Sequence, residues 1–370
     1  MVASVIVNNH DYGRYLREAI DSALAQTHPE TEVVVVDDGS TDDSREIIAS
    51  YGADVVSVLK DNGGQASAFN AGSQASRGEV VVFLDADDVL LPDAVSQAVA
   101  RLEDPQLVKV HWPLWEIDAT GRRSGSTVPP ELAEGDLLEA VLRAGPAGHG
   151  GNPPSSGNAW RREFLERVLP VPEQPFRIWA DVYLLELAPI YGRIGRIVEP
   201  LGLYRLHGEN RYATRPFEER LARGLEVYEH VCRALAERLP QVGARMSVEE
   251  CRAKSWFHRV AESVDEICSL VAPGESFVLV DGDEWGTGAV VRDRRRLPVM
   301  EHDGEYWGPP ADGASAVAEV ERLRAAGARV LVVAWPAFWW LDHYSELADH
   351  LSSSFPCLRR DERLVVYDLR

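Results

Sequence analysis

Residues 83 to 88 read FLDADD, which sets three carboxylates, Asp85, Asp87 and Asp88, within four consecutive positions at the end of an apolar run. Two more, Asp37 and Asp38, close the run EVVVVDD. Carboxylates at strand ends hold divalent cations, and Mg²⁺ or Mn²⁺ prefers such hard oxygen ligands while keeping several waters. The local charge sharpens this reading. Residues 1–100 carry 17 Asp/Glu against 5 Lys/Arg, so a phosphate ligand would be repelled from that rim unless a divalent cation intervened. The expectation is a metal held by carboxylates and a diphosphate held by the metal.

The elements that must place these groups follow from periodicity. SVIVNN and EVVVVDD are continuous apolar runs of strand length, suited to parallel strands buried on both faces. Between them, Leu16, Ala19, Ile20, Ala23 and Leu24 have helical spacing. The alternation continues: DDSREIIASYG as a helix with a capping box from Asp43 to Glu46, VVSVL as a strand, QASAFNAGSQAS as a helix, then EVVVFLDADD. The first hundred residues therefore predict a doubly wound α/β sheet. Ligands bind beyond the carboxyl ends of such strands, where Asn8 and Asn9, Asp37 and Asp38, and Asp85 to Asp88 all fall. Neither a G-x-G-x-x-G after the first strand nor a phosphate loop is present.

Composition excludes several classes. A formal net charge of −21 over 370 residues, with no long basic run, argues against a nucleic-acid partner. The dense basic stretch RDRRR, 292–296, reads as a solvated strand end or turn. The apolar runs fall short of a membrane span, and MVASVIVNNH has no basic region or cleavage site of a secretory signal. Cys232, Cys251, Cys268 and Cys357 are widely spaced and read as free thiols in a reducing compartment, so a cytoplasmic location is expected.

SVIVNNHDYGRYLREAIDSALAQT, EVVVVDDGSTDDS, NGGQASAFNAG and FLDADD together resemble the nucleotide-sugar domain of family 2 glycosyltransferases, the inverting GT-A fold, over roughly residues 3–210. The resemblance implies a nucleoside-diphosphate sugar donor. Asp38 would contact the nucleobase, with Asn8 and Asn9 in the same pocket, and Gln65 would lie near the nucleotide. Asp85 and Asp87 match the D-x-D pair, Asp85 reaching the ribose and Asp87 ligating the metal. IWADVYLLEL resembles the segment that supplies the general base, here Asp181, and YRLHGEN resembles a later motif whose histidine, His207, approaches the diphosphate or metal. Two positions depart from the family pattern: Asn8-Asn9 stands where Pro-Thr is common, and Ala180 where Glu commonly precedes the base.

The chemistry asks for these groups on its own terms. An acceptor hydroxyl must lose a proton to a carboxylate, and the leaving diphosphate must have its charge offset by a Lewis acid. Duller roles stay open: a turn and helix cap for Asp37-Asp38, a helix start for Asp181, a satisfied core histidine for His207, and backbone-bonding loop residues for Gln65 and the asparagines. The segment GPAGHGGNPPSSGNAWRREFL, 145–165, is expected as an acceptor loop or a linker. Trp112, Trp115 and Trp179 are candidates for stacking on sugars or for the core.

The expected division is a GT-A domain over 1–210, a helical connecting segment over 211–272, and a small Rossmann-like α/β domain over 273–370. In the last, DGDE (281–284) and WPAFWWLDHY suggest packing or an interface, with a second binding site as the other reading. An active metal-dependent inverting glycosyltransferase is the leading function; a nucleotide-sugar-binding scaffold acting through the C-terminal domain is the alternative. The acceptor, a glycan, peptide or secondary metabolite, is left open.

Overall fold

The computed structural model of the protein describes residues 1–148, 150–208, 215–285, 290–302 and 305–370. The chain divides into two compact units, one of residues 1–210 with 226–255, the other of 211–225 with 256–370. The helical stretch expected as a separate connector is thus shared between the units, because its helices bury their apolar faces in two different cores.

In the first unit the elements run β1 (Ala3–Asn9), α1 (Gly13–Leu24), β2 (Thr31–Asp38), α2 (Ser44–Ser50), β3 (Val56–Lys60), α3 (Gln65–Ala75), β4 (Val80–Asp85), β5 (Val89–Leu90) and α4 (Ala94–Arg101). They continue with β6 (Leu107–His111), β7 (Leu114–Asp118), β8 (Arg123–Val128), α5 (Leu138–Ala144), β9 (Asn158–Arg161), α6 (Arg162–Val168), α7 (Ala180–Tyr191), β10 (Arg193–Arg196) and β11 (Gly202–Leu206). Among the described residues the main sheet has seven strands in the order β10-β6-β9-β4-β1-β2-β3, all parallel to their neighbours except β9. A second sheet, β5-β11-β7-β8, carries the end of β4 onward into the chain.

Both faces of β1, β2 and β4 are covered, as their unbroken apolar runs require, whereas the edge strand β3 is largely exposed. Val5, Val7, Val33, Val35, Val82 and Leu84 pack under α1, α2 and α4. On the opposite face Phe69 of α3 stacks on Phe83 of β4, ring centroids 3.9 Å apart. The register sets Asn8 beside Asp85 and Asn9 beside Asp37, so the polar residues align at one edge of the sheet.

The remaining helices are α8 (Phe217–Arg238), α9 (Val248–Lys254) and α10 (Trp256–Leu270). The second unit then adds β12 (Ser276–Val280), β13 (Val290–Val291), β14 (Arg294–Pro298), β15 (Glu301–His302), β16 (Glu305–Tyr306), α11 (Gly313–Ala325), β17 (Val330–Ala334), α12 (Trp339–His343), α13 (Ser345–Ser354), β18 (Cys357–Arg360) and β19 (Leu364–Asp368). Among the described residues its larger sheet has six strands in the order β13-β14-β12-β17-β19-β18, and the unit is of α/β class.

Three local expectations need correction. Cys232 and Cys251 form a disulfide, Cα atoms 5.4 Å apart, because α8 and α9 pack together; positions 19 apart in sequence give no sign of this. Cys268 and Cys357 are free, so the cysteines carry no argument for a reducing compartment. The RDRRR stretch is only partly solvated: Arg294 and Arg296 are buried, with Arg294 donating to the carbonyls of Val271 and Cys268. At the start of α2, Asp43 makes no side-chain cap; Asp42 accepts instead from the amides of Ser44 (3.0 Å) and Gly13 (2.8 Å). No helix among the described residues is long and apolar enough to cross a membrane.

One backbone position governs how α3 meets the start of α7. Gly64 has φ +89° and ψ 177°, a conformation essentially restricted to glycine, and a Cβ there would lie 2.7 Å from Arg177 Cα. That approach lets the Gln65 amide donate to the Arg177 carbonyl at 2.8 Å. Gly64→Ala is expected to destabilise the first unit by about 2 kcal/mol or more, seen as a lowered urea midpoint with unchanged slope.

Candidate active site

The end of β4 supplies the D-x-D carboxylates, and the turn after it is held from two sides. Asp88 is buried, its carboxyl accepting from the Ser156 hydroxyl at 2.7 Å and from the Arg205 amide at 3.0 Å. The Ser156 hydroxyl in turn accepts from the Asp85 amide at 3.1 Å. Arg205, on β11 and only 2% exposed, donates from Nε to the Asp87 carbonyl at 2.8 Å and from Nη2 to Glu18 at 2.6 Å, with its guanidinium over the Tyr15 ring. The D-x-D turn is therefore clamped by a serine from one loop and an arginine from a strand.

Asp87 faces His207, Oδ2 to Nε2 at 3.0 Å, and the imidazole is buried between Tyr12 and Tyr15 at ring-centroid distances of 5.4 Å. The two residues named as metal ligands are thus neighbours; Glu209 and Asn210 of the same motif lie outside the described residues. A carboxylate oxygen and an imidazole nitrogen meeting in one place fit a divalent cation in donor chemistry. Among the described residues no group of three or more His, Cys, Asp and Glu is arranged to hold a metal unaided. Two protein donors are compatible with a cation that takes the rest of its shell from phosphate oxygens and water.

Gln65 links separate elements. Its amide donates to Asp85 and to the Ser155 hydroxyl, both at 3.3 Å, while its carbonyl accepts from the Ala180 amide at 2.9 Å. It thereby ties the D-x-D strand end to the first turn of α7, where Asp181 sits. The preceding residue, Trp179, has a left-handed backbone at φ 64°, unusual for an aromatic and consistent with a position fixed by its surroundings. Asp181 accepts from the Val182 amide at 3.0 Å.

Crowding of these groups shifts their proton affinities. Burial, then the charges of Asp87 and Asp181, push Asp85 up to about 8 against the hydrogen bonds of Gln65 and Ser155. Burial, then Asp87 and Asp85, hold Asp88 well above the ordinary range. Asp181 is raised by burial, with Val182, Ser155 and the charge of Lys109 pulling the other way.

At the end of β2, Asp38 accepts from Lys60 Nζ at 2.5 Å and from the amides of Gly63 (2.9 Å) and Gly64 (2.6 Å). Asp37 is the turn-forming member of the pair, bonded by Arg45, Ser40 and Asn9. Asn8 and Asn9 are buried at the end of β1, and the side-chain carbonyl of each has no hydrogen-bond partner. Buried polar atoms of this kind are costly unless something completes them.

Other candidates are not brought here. Trp112 is in the core, Trp115 lies on β7 under Arg123, and Trp160 stacks on Phe164. In the second unit, Asp281 accepts from the amides of Asp283 and Trp285, and Arg296 lies 3.4 Å from Asp283, so that acidic strand end is internally paired. Sequence reasoning missed Ser155, Ser156 and Arg205; the only sign was their place in a segment rich in turn residues and in a motif noted for its histidine.

Residues 4–167 match the family model described as Glycosyl transferase family 2. An uncharacterized glycosyltransferase of Nostoc sp. is 41% identical over 238 residues, 61% of this chain and 73% of the relative. The chain belongs to the family 2 glycosyltransferases. A further uncharacterized glycosyltransferase, from Rickettsia prowazekii, is 40% identical over 98 residues, 26% of this chain and 31% of the relative. Among solved structures, S. aureus TarS 1–349 in complex with UDP-GlcNAc superposes with a TM-score of 0.51 at 19% identity, covering 69% of this chain and 70% of that one, a likeness of fold. The matched segment of this family 2 glycosyltransferase contains the D-x-D, Gln65 and Asp38; Asp181 and His207 lie beyond it.

Ser156→Ala would leave a buried Asp88 oxygen without its donor. The expected cost is about 1–3 kcal/mol of stability, measured by chemical denaturation of the first unit.

Proposed function

We propose that this glycosyltransferase moves a sugar from a nucleoside-diphosphate sugar to an acceptor hydroxyl with inversion, using Asp181 as the general base and a divalent cation at Asp87 and His207. The observation that carries the reading is the bridge made by Gln65, which joins Asp85 to the amide of Ala180, the residue before Asp181, while Asp87 is paired with His207.

Asn8, Asn9 and Asp38 form the nucleobase end. The two unpartnered asparagine carbonyls are acceptors for base N–H groups, and Asp38 shapes the pocket by holding Lys60 and the glycines before α3. Asp85, opposite Asn8 in the sheet, lies where a ribose hydroxyl would reach it. Mg²⁺ or Mn²⁺, when bound, would offset the charge gathering on the leaving diphosphate. Asp181 accepts the proton of the acceptor hydroxyl as its oxygen bonds to the anomeric carbon and the bond to the diphosphate oxygen breaks. A base raised by burial is better matched to neutral pH than an ordinary aspartate.

Calorimetric titration with UDP, GDP and dTDP, with and without Mn²⁺, tests the donor site. One nucleotide is expected to bind tightly only with metal; Asp87→Asn should lose that dependence, while Asp181→Asn should keep nucleotide binding and lose donor turnover by about 10²-fold or more. Equal loss of nucleotide affinity in both variants would refute the division of roles.

The pH dependence has a definite sign. Asp181 must be deprotonated to act, so kcat should fall as pH falls through its midpoint. Because burial raises that group, the acid limb should lie above the ordinary aspartate value of 3.8.

A further inference from the structure

The second unit has a cleft that the transfer step does not use. It lies between the end of β12 and Trp340 of α12, the helix that follows the neighbouring parallel strand β17. From β12 the chain goes to β13 and β14 on one side of the sheet; from β17 it goes through α12 and α13 to β18 and β19 on the other. Connections that part in this way leave a crevice at the carboxyl ends of the two strands, which is where open α/β sheets bind ligands.

The cleft is shallow, about 230 Å³ counting its open mouth, and Asp281, Asp283, Arg296, Tyr306 and Trp340 line it. Most of its polar groups have partners. Asp281 accepts from the amides of Asp283 and Trp285, and the buried Arg296 stands 3.4 Å from Asp283 and 3.9 Å from Asp281. Trp340 is the exception: it is 1% exposed, and its indole Nε1 has no hydrogen-bond partner. A buried donor left unpaired is costly, and beside a cleft a ligand acceptor can complete it. Aromatic surface continues outward from there. Trp339, 45% exposed, has its ring 6.0 Å from that of Trp340, and Trp307, 75% exposed, follows Tyr306 in the chain.

We propose that this cleft binds a saccharide, with sugar hydroxyls on the Arg296–Asp283 pair and the Trp340 N–H and a ring face against the exposed tryptophan surface. The side chains select the class. Arg296 and Asp283 set donors and an acceptor side by side, and vicinal hydroxyls match both because each can donate and accept. The C–H face of a pyranose is apolar, as is the face of an indole, while the edges of both are polar. Other ligands suit these groups less well. A free phosphate would have to draw Arg296 from two carboxylates, and among the described residues no group of three or more His, Cys, Asp and Glu is arranged to hold a metal. The shallow form admits the edge of one sugar residue rather than an enclosed cofactor. This site is independent of the donor and base assignments in the first unit.

The test follows the tryptophan indoles of the full chain by nitrogen NMR during titration with the methyl glycosides of glucose, galactose, mannose and N-acetylglucosamine, carried into the millimolar range. The Trp340 signal, assigned by its absence in Trp340→Phe, is expected to move and saturate with at least one of them. Asp283→Asn keeps a residue that tolerates the left-handed backbone at φ 64° and should weaken the response about fivefold or more. Asp87→Asn, which alters the first unit, should leave it unchanged. A Trp340 signal that none of the four glycosides moves would overturn the proposal, and so would one moved only by inorganic phosphate or tetramethylammonium. A response untouched by Asp283→Asn, or abolished by Asp87→Asn, would overturn it too. If Trp340→Phe does not fold, the ten indole signals are followed together. A signal that responds to a glycoside must then weaken in Asp283→Asn and persist in Asp87→Asn; any other pattern refutes the site.

Discussion

Four aspartates, Asp85, Asp87, Asp88 and Asp181, are gathered at one end of the main sheet, and the surrounding structure is organised around their loss of water and mutual repulsion. Each has its own set of donors. Asp88 is bonded by Ser156 and the Arg205 amide, Asp85 by Gln65, Asp181 by the Val182 amide, and Asp87 faces His207. These bonds do not cancel the cost of burial, which still raises Asp85, Asp88 and Asp181. The residual is an environment that favours the protonated form of these carboxylates.

The topology explains how donors from distant parts of the sequence reach those carboxylates. Strand β9 enters antiparallel between β6 and β4. The segment leading into it therefore arrives at the carboxyl ends of β4 and β6, where Ser155 and Ser156 are wanted. Asn158 fixes that arrival by donating to the carbonyls of Pro154 at 2.8 Å and Ser155 at 3.2 Å. Strand β11 then returns beside β5 and β7, carrying Arg205 under the D-x-D turn and His207 just past it. A stretch that resembled an acceptor loop or linker is in this way a buttress of the site.

The second unit handles its acidic strand end differently. Asp281 is buried and raised by burial, but the charge of Arg296 and two backbone amides draw it back. A buried carboxylate with its own arginine is internally satisfied, whereas those of the first unit face an excess of like charge. Equal-looking sequence patterns, FLDADD and VLVDGDE, thus correspond to two electrostatic situations.

The βαβ order, the buried parallel strands and the strand-end placement of Asn8, Asn9, Asp38, Asp85 and Asp87 were legible from the chain alone, because periodicity and local apolar runs are properties of neighbouring residues. So was the surplus of carboxylates over cations in the first hundred positions. What touches those carboxylates was not legible. Ser156 is 68 residues from Asp88, Arg205 is 117, and Gln65 is 115 from the amide of Ala180; nothing in local pattern links them. The pairing of Cys232 with Cys251 and the division of the middle helices between two cores are likewise decided by packing. Hydrophobic period specifies which face of an element is buried, but which polar groups meet inside depends on strand order and crossover, and those exist only once the sheet has closed around them.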